Sequence, residues 1–316
     1  MAFEIKKAKR ELIWTKIALM SPSGGGKTYS SLRLATGMLE ELKKLGLEQN
    51  GRILMGNTEQ KRGYYYANEF DYDIVDIEAP HHPERYVEFI EYSVSQDYPI
   101  LLIDSSSHEW EGRQGCLELH QQAGGTYQSW AKVTPRHDKF IISIADSPIH
   151  IVATMRSKDA YEIEKSDGGK LNVKKLGMGA KQREGFEYEF TSTFSIDQKT
   201  NLAESQKDNT HLFENEGSVL LSEKHGKQII QWANSGEGYT PPIRNTKTEA
   251  EIILDLRKGI IESCKTLGGK ENEELMTLLK EYDPNANPNK IKDLETLEKL
   301  SLKISAIKPI KIEEGE

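Results

Sequence analysis

The sequence predicts an α/β protein in which a mainly parallel central sheet is flanked by helices and followed by a helical C-terminal tail. Three observations carry that prediction. A glycine-rich stretch at 21–28, reading S-P-S-G-G-G-K-T, stands between an apolar run at 13–20 and a helical pattern. Further short apolar runs at 51–57, 73–77, 99–104 and 149–155 alternate with helix-length segments, as parallel strands joined by crossover helices require. Beyond residue 248 the strand-like runs stop and helical periodicity remains.

The run 13–20 gives the first strand. Leu32, Leu34, Ala35, Met38, Leu39 and Leu42, mainly three and four residues apart, give the first helix, which begins near Lys27. The second strand, 51–57, ends in Thr58-Glu59-Gln60, and a basic and aromatic patch follows at 61–66. A short strand at 73–77 leads through P-H-H-P to a helix over 84–95, with His81 and His82 expected as a solvated cap or turn. Residues 99–104, P-I-L-L-I-D, give the next strand, expected beside the first. Helices over 115–122 and 129–145 precede the strand 149–155.

The segments 160–164 and 171–175 flank S-D-G-G-K and read as a β-hairpin. Alternation of Phe186, Tyr188 and Phe190, then Phe194 and Ile196, predicts strand across 185–197 with the aromatics in the core, and 218–221 and 228–232 read as short strands. A core over 1–235 is thus followed by a polar linker over 236–248 containing Pro241-Pro242. The extension 249–316 holds helices at 249–266, 272–282 and 291–307.

The loop at 21–28 has what a phosphate site needs. Gly24, Gly25 and Gly26 let the backbone curl with its N–H groups inward, and the helix start at Lys27 adds unpaired N–H groups and a partial positive charge. Ser21, Pro22, Ser23, Gly24, Gly25, Gly26, Lys27, Thr28 and Tyr29 are therefore the expected nucleotide-binding residues, for ATP with Mg2+. Lys27 would reach the β and γ phosphates, and Thr28 and Asp104 would position the metal. Ser21 stands where the G-x-x-x-x-G-K-[ST] pattern opens with glycine, a costly exchange only if that position needs positive φ.

The residue after Asp104 is a serine, so a water-orienting base must come from elsewhere. Glu59, Glu109 and Glu111 compete, and strand-end placement favours Glu59. Thr154, Arg156 and Lys158 leave the end of the 149–155 strand; Arg156 is a cation able to face the γ phosphate in this or a neighbouring subunit. From Arg156 to Arg183, eight basic residues (Arg156, Lys158, Lys165, Lys170, Lys174, Lys175, Lys181, Arg183) outnumber four acidic ones, a local excess of four. With the interspersed glycines, that excess suits a loop lying on a phosphate backbone, as well as a plain solvated hairpin.

S-P-S-G-G-G-K-T, N-T-E ending the next strand and L-L-I-D-S after a further helix resemble the RecA/RadA-type ATPase core, in particular short phage-encoded recombination ATPases. The resemblance covers roughly residues 10–235. It implies Glu59 as the residue that polarises the attacking water, Asp104 as the Mg2+-associated acid, and single-stranded DNA on loops around 156–183. It further implies phage recombination, annealing or replication in the host cytoplasm, with a phage annealing or single-strand-binding protein and further copies of this chain as partners. No glutamine sensor is apparent at the end of the 149–155 strand.

A formal net charge of −8 disfavours indiscriminate nucleic-acid binding while leaving room for a local basic site. Cys116 and Cys264 are the only cysteines, and neither lies in a sequence cluster of metal ligands. No run approaches the roughly 20 apolar residues of a membrane helix, and the N-terminal stretch lacks a signal-peptide core, so a cytoplasmic location is expected. Two other functions fit the same loop: a P-loop kinase acting on a small molecule or nucleotide, and a nucleotide-gated adaptor with little turnover whose C-terminal helices bind a protein.

Overall fold

The structure, a computed structural model, describes residues 5, 7–49, 51–165, 171–236 and 249–307, the backbone alone at 158–165, 171–178, 249–252 and 255. The chain divides into two compact units, Met1–Arg244 and Asn245–Glu316.

The first unit is built on strands β1 (Lys16–Ser21), β2 (Ile53–Asn57), β3 (Asp73–Asp76), β4 (Ile100–Asp104), β5 (His150–Lys165), β6 (Leu171–Ala180), β7 (Ser192–Ile196) and β8 (Ala203–Asp208). They form one sheet in the order β3-β2-β4-β5-β1-β7-β8, with β6 pairing the outer part of β5. The pairings from β3 through to β7 are parallel, and β8 and β6 are antiparallel to their partners.

The expected adjacency of the first strand and the strand ending at Asp104 is not observed: β5 lies between β1 and β4. Runs such as Leu101–Ile103 and Ile151–Ala153 are buried on both faces, so their apolarity marks them as interior strands without ordering them. The inserted strand brings Thr154 beside the end of β4, which positions the site described below.

Side chains alternate between the two faces of the sheet. Ile17, Leu19, Ile53, Met55, Leu102 and Val152 pack against helices α1 (Lys27–Lys44) and, later in the chain, Glu223–Ala233. Ala18, Met20, Leu101, Ile103, Ile151 and Ala153 pack on the other side against α2 (Pro83–Ser95) and the helix Trp130–Asp146. Two short helices, α3 (Ser107–Glu111) and α4 (Cys116–Gln122), separate β4 from that latter helix, which is α5; Glu223–Ala233 is α6.

Three expectations are corrected. Phe186–Glu189 is a 3-10 turn: Phe186 and Phe190 are buried four residues apart while Tyr188 between them is exposed, so only 192–196 extend as strand β7. The 228–232 segment belongs to α6, whose buried Gly226, Ile229, Ile230 and Ala233 follow helical spacing behind a Ser222 capping box; at 218–221 only Val219 makes a β-bridge. His81 is buried rather than solvated, its ring stacked on His108 with centroids 5.2 Å apart.

The predicted hairpin forms, and it is longer than its sequence signal: Ser157 through Lys165 pair with Leu171 through Ala180. In the second unit, helices α7 (Glu249–Thr266), α8 (Glu273–Tyr282) and α9 (Leu294–Ser305) enclose a separate core of Ile260, Leu275, Leu279, Leu297, Leu300 and Ile304. Asn272 and Asp293 cap α8 and α9 by accepting from the N–H groups of Leu275 and Thr296.

Candidate nucleotide-binding site

The carboxyl ends of β1, β2 and β4 meet the middle of β5 at the start of α1, where open parallel sheets bind their ligands. A cavity of about 710 Å³ lies there, walled by Ser23, Gly24, Gly26, Lys27, Thr28 and Tyr29 from the loop and α1, by Glu59 and Asp104 from the ends of β2 and β4, and by Arg156 from within β5. Ser30, Arg33, Arg62, Tyr65, Tyr66, Asn201, Leu220 and Leu221 complete the lining.

The loop conformation follows from its composition. Gly24 and Gly26 have φ of 83° and 81°, a region L side chains rarely adopt. Gly25 is required for a different reason: a Cβ there would lie 1.8 Å from Ser21 Oγ. Ser21, fully buried at the end of β1, is not among the positive-φ residues, so replacing the pattern's first glycine costs no backbone strain. Ser21 and Pro22 support the loop from beneath, their carbonyls each accepting from Lys27 Nζ at 2.9 Å. Tyr29 stands edge-on to Tyr66 and Phe70, each 5.3 Å away.

Asp104 is buried and receives one hydroxyl on each oxygen: Thr28 donates to Oδ2 at 2.6 Å and Thr154 to Oδ1 at 2.5 Å. Burial raises its carboxyl above the ordinary value, against the pull of those two hydrogen bonds. A divalent cation offsets such a penalty, and a hydroxyl 2.6 Å from a carboxylate is the donor pair that Mg2+ with its water shell takes up. The site therefore fits the metal. Lys27 is lowered by burial, which Asp104 and Glu59 oppose; a polyphosphate would supply the missing negative charge.

Glu59 follows β2 and is gripped in a fork by Arg156, Nε to Oε1 at 3.0 Å and Nη2 to Oε2 at 2.8 Å. Burial works to raise the Glu59 carboxyl, and the hydrogen bonds and charge of Arg156, helped by His108 and Arg62, bring it below its ordinary value. The competing acids are placed elsewhere. Glu109 is buried among Cys116, His137 and Gln182, and Glu111 sits 3.9 Å from Arg156 and 3.4 Å from Lys181.

The remaining basic residues are not gathered into the cavity. Lys181 pairs with Glu111, and Arg183 with Asp138 at 2.7 Å. Lys170 lies outside the described residues, as do the side chains of Lys158, Lys165, Lys174 and Lys175. Arg183 also helps to wall a second cleft of about 850 Å³ with Trp110, Tyr127 and Trp130.

Sequence reading gave no role to Thr58, His108 or Gln182. Thr58 Oγ1 accepts from Ser105 N at 2.8 Å and lies 2.5 Å from His108 Nδ1, tying the ends of β2 and β4 together. Gln182 Nε2 donates to Ser106 O at 3.0 Å, joining the base of the hairpin to the segment after Asp104. Only the strand-end position of Thr58 was visible in advance.

A glycine loop at a helix start, a buried carboxylate bonded to the helix threonine and an acid at the next strand end define a P-loop nucleotide-binding fold of the nucleotide-hydrolase class. The chain belongs to the AAA domain family, whose model matches residues 14–227. A search of curated proteins finds no match. No helix among the described residues is long and apolar enough to cross a membrane.

Proposed function

We propose that the chain is a Mg2+-dependent ATPase with a RecA-like core, whose turnover is coupled to single-stranded DNA in phage recombination, annealing or replication. The observation that carries this reading is the convergence of Glu59 and Arg156 on the cavity that also holds Lys27, Thr28 and Asp104. The resemblance to the RecA/RadA core supports Glu59 at the end of β2 as the water-orienting acid.

In this reading Thr28 and Asp104 hold Mg2+, which supplies charge neutralisation at the phosphates. Lys27 leaves the carbonyls of Ser21 and Pro22 for phosphate oxygens, and the loop N–H groups orient the chain of phosphates. Glu59, kept ionised by Arg156, accepts a hydrogen bond from the attacking water. Arg156 then exchanges part of its grip on Glu59 for the charge developing at the γ phosphate.

Coupling to DNA runs through the hairpin. β5 carries Thr154 and Arg156 at the site and continues outward as one arm of the hairpin. Lys181 at the hairpin base donates its backbone N–H to Arg156 O at 2.7 Å and pairs with Glu111, which also faces Arg156. A DNA phosphate that takes Lys181 frees Glu111 to draw Arg156 from Glu59. Tyr127, exposed at the second cleft, offers a face on which a base stacks. A phage annealing or single-strand-binding protein, and further copies of the chain, are the proposed partners.

The test is ATP turnover with and without single-stranded DNA, in the wild type and after neutralising Lys165, Lys170, Lys174 and Lys175 together. The proposal expects DNA-stimulated turnover that the neutralised variant loses. Equal turnover with and without DNA rejects the coupling; phosphate transfer to a nucleotide or small molecule, or tight ATP binding without turnover, replaces it with the kinase or the adaptor.

A further inference from the structure

Away from the nucleotide cavity, side chains of three successive helices meet in the interior: Glu109 of α3, Cys116 of α4 and His137 of α5, all 0% exposed. Cys116 Sγ donates to Glu109 Oε1 at 3.0 Å, and His137 Nδ1 lies 3.0 and 3.1 Å from the two carboxylate oxygens. No sequence cluster marks Cys116 because the group is tertiary: its members are 7 and 28 residues from Glu109.

A buried carboxylate requires a compensating cation or a full set of donors. Among the described residues, His137 is the one ion-pairing partner of Glu109, and no lysine or arginine reaches it. His137 turns Nδ1 toward the carboxylate, the ring nitrogen that a metal there would use, while Nε2 on the far side of the ring is buried without a hydrogen-bond partner.

We infer that Glu109, Cys116 and His137 are the ligands of a buried divalent metal ion of borderline-soft character, zinc foremost. Carboxylate, thiol and imidazole are the donor types zinc takes, whereas Mg2+ and Ca2+ take oxygens. The charges close: one carboxylate and one thiolate balance a dipositive ion, and the imidazole binds neutral. The thiol proton passes to solvent as the S–metal bond forms, with no change of oxidation state.

The three ligand atoms lie within 4.8 Å of one another. Around a tetrahedral ion with bonds of about 2.0–2.3 Å, ligand atoms stand roughly 3.3–3.7 Å apart, so the hydrogen-bonded pairs need to open by only a few tenths of an ångström. Gln182 Nε2, 3.2 Å from Glu109 Oε2, supplies the outer hydrogen bond that orients a ligating carboxylate. Trp110 and Phe186, with ring centroids 5.1 and 5.9 Å from that of His137, give the ion an apolar surround. The fourth position of a tetrahedral ion would fall to a water. The ion would fasten α3 to α4 and α5 directly behind Glu111, and so fix the stretch that follows Asp104.

The full-length protein, expressed with zinc available, should carry close to one zinc per chain by elemental analysis. Metal-stripped protein given Co2+ should develop a thiolate-to-cobalt charge-transfer band in the near ultraviolet, present in Cys264→Ser and absent in Cys116→Ser. Chelation should lower the melting temperature by about 5 °C or more. If the stripped wild type, folded by circular dichroism, gives no such band and no shift in melting on adding Zn2+, the cluster is a carboxylate–imidazole–thiol network and the inference is overturned. A band that survives in Cys116→Ser and disappears in Cys264→Ser overturns it equally.

Discussion

Arg156 holds both oxygens of Glu59, at 3.0 and 2.8 Å, from a strand that separates the phosphate-loop strand from the strand of Asp104. The contact fixes the ionisation of Glu59 and sets the cation that fixes it at the mouth of the nucleotide cavity.

Glu59→Gln keeps the shape of the side chain and removes its charge. Turnover should fall by about 10²–10⁴-fold while nucleotide affinity stays near the wild-type value. Steady-state hydrolysis alongside equilibrium binding checks both; undiminished turnover removes Glu59 from the reaction.

The ionisation of Glu59 gives a pH test. Its folded value is depressed, so the active carboxylate persists as pH falls and is lost only on passing below the usual carboxylate range. Arg156→Ala leaves burial opposed by His108 and Arg62 alone, and the acid limb of the rate profile should move to higher pH. An unmoved limb in Arg156→Ala contradicts the role given to the ion pair.

His108 predicts a dependence of the same sign for stability. Burial and the Arg156 charge hold its folded value down at about 4, against 6.5 ordinarily. Between those two values the unfolded chain binds the extra proton, so stability rises with pH from about 4 to 6.5 and is lost on acidification. Urea midpoints measured across that window should show the slope, and His108→Gln should flatten it.

Gly25→Ala forces its methyl into Ser21, whose Oγ would be 1.8 Å away. The clash should cost about 1–3 kcal/mol of loop stability, roughly ten- to a hundredfold in nucleotide affinity. Adding Ser21→Gly to Gly25→Ala should recover much of the loss. Affinities that simply add across the double-mutant cycle would show that the two residues do not share this space.

What could be read in advance was local. The conformation of residues 21–28 is dictated by glycines adjacent in sequence, and Glu59 and Asp104 announce themselves by ending apolar runs. Strand order was not legible, because β4 and β5 are equally apolar and nothing in either run says which neighbours β1. The Phe186–Phe190 stretch misled for a related reason: aromatic alternation over five residues fits a strand, and only the exposure of Tyr188 reveals the 3-10 turn. His81 on His108 and Cys116 on Glu109 depend on how α3 and α4 fold back, which no short window contains.

The central claim is that the glycine loop binds a magnesium nucleotide, and calorimetric titration with Mg2+ and a non-hydrolysable ATP analogue tests it most directly. The account predicts saturable uptake of one molecule per chain, weakened about ten- to a hundredfold in Lys27→Ala, where a charge-assisted contact is lost. Folded wild-type protein that takes up no analogue, or Lys27→Ala protein that binds it as tightly as the wild type, would contradict it.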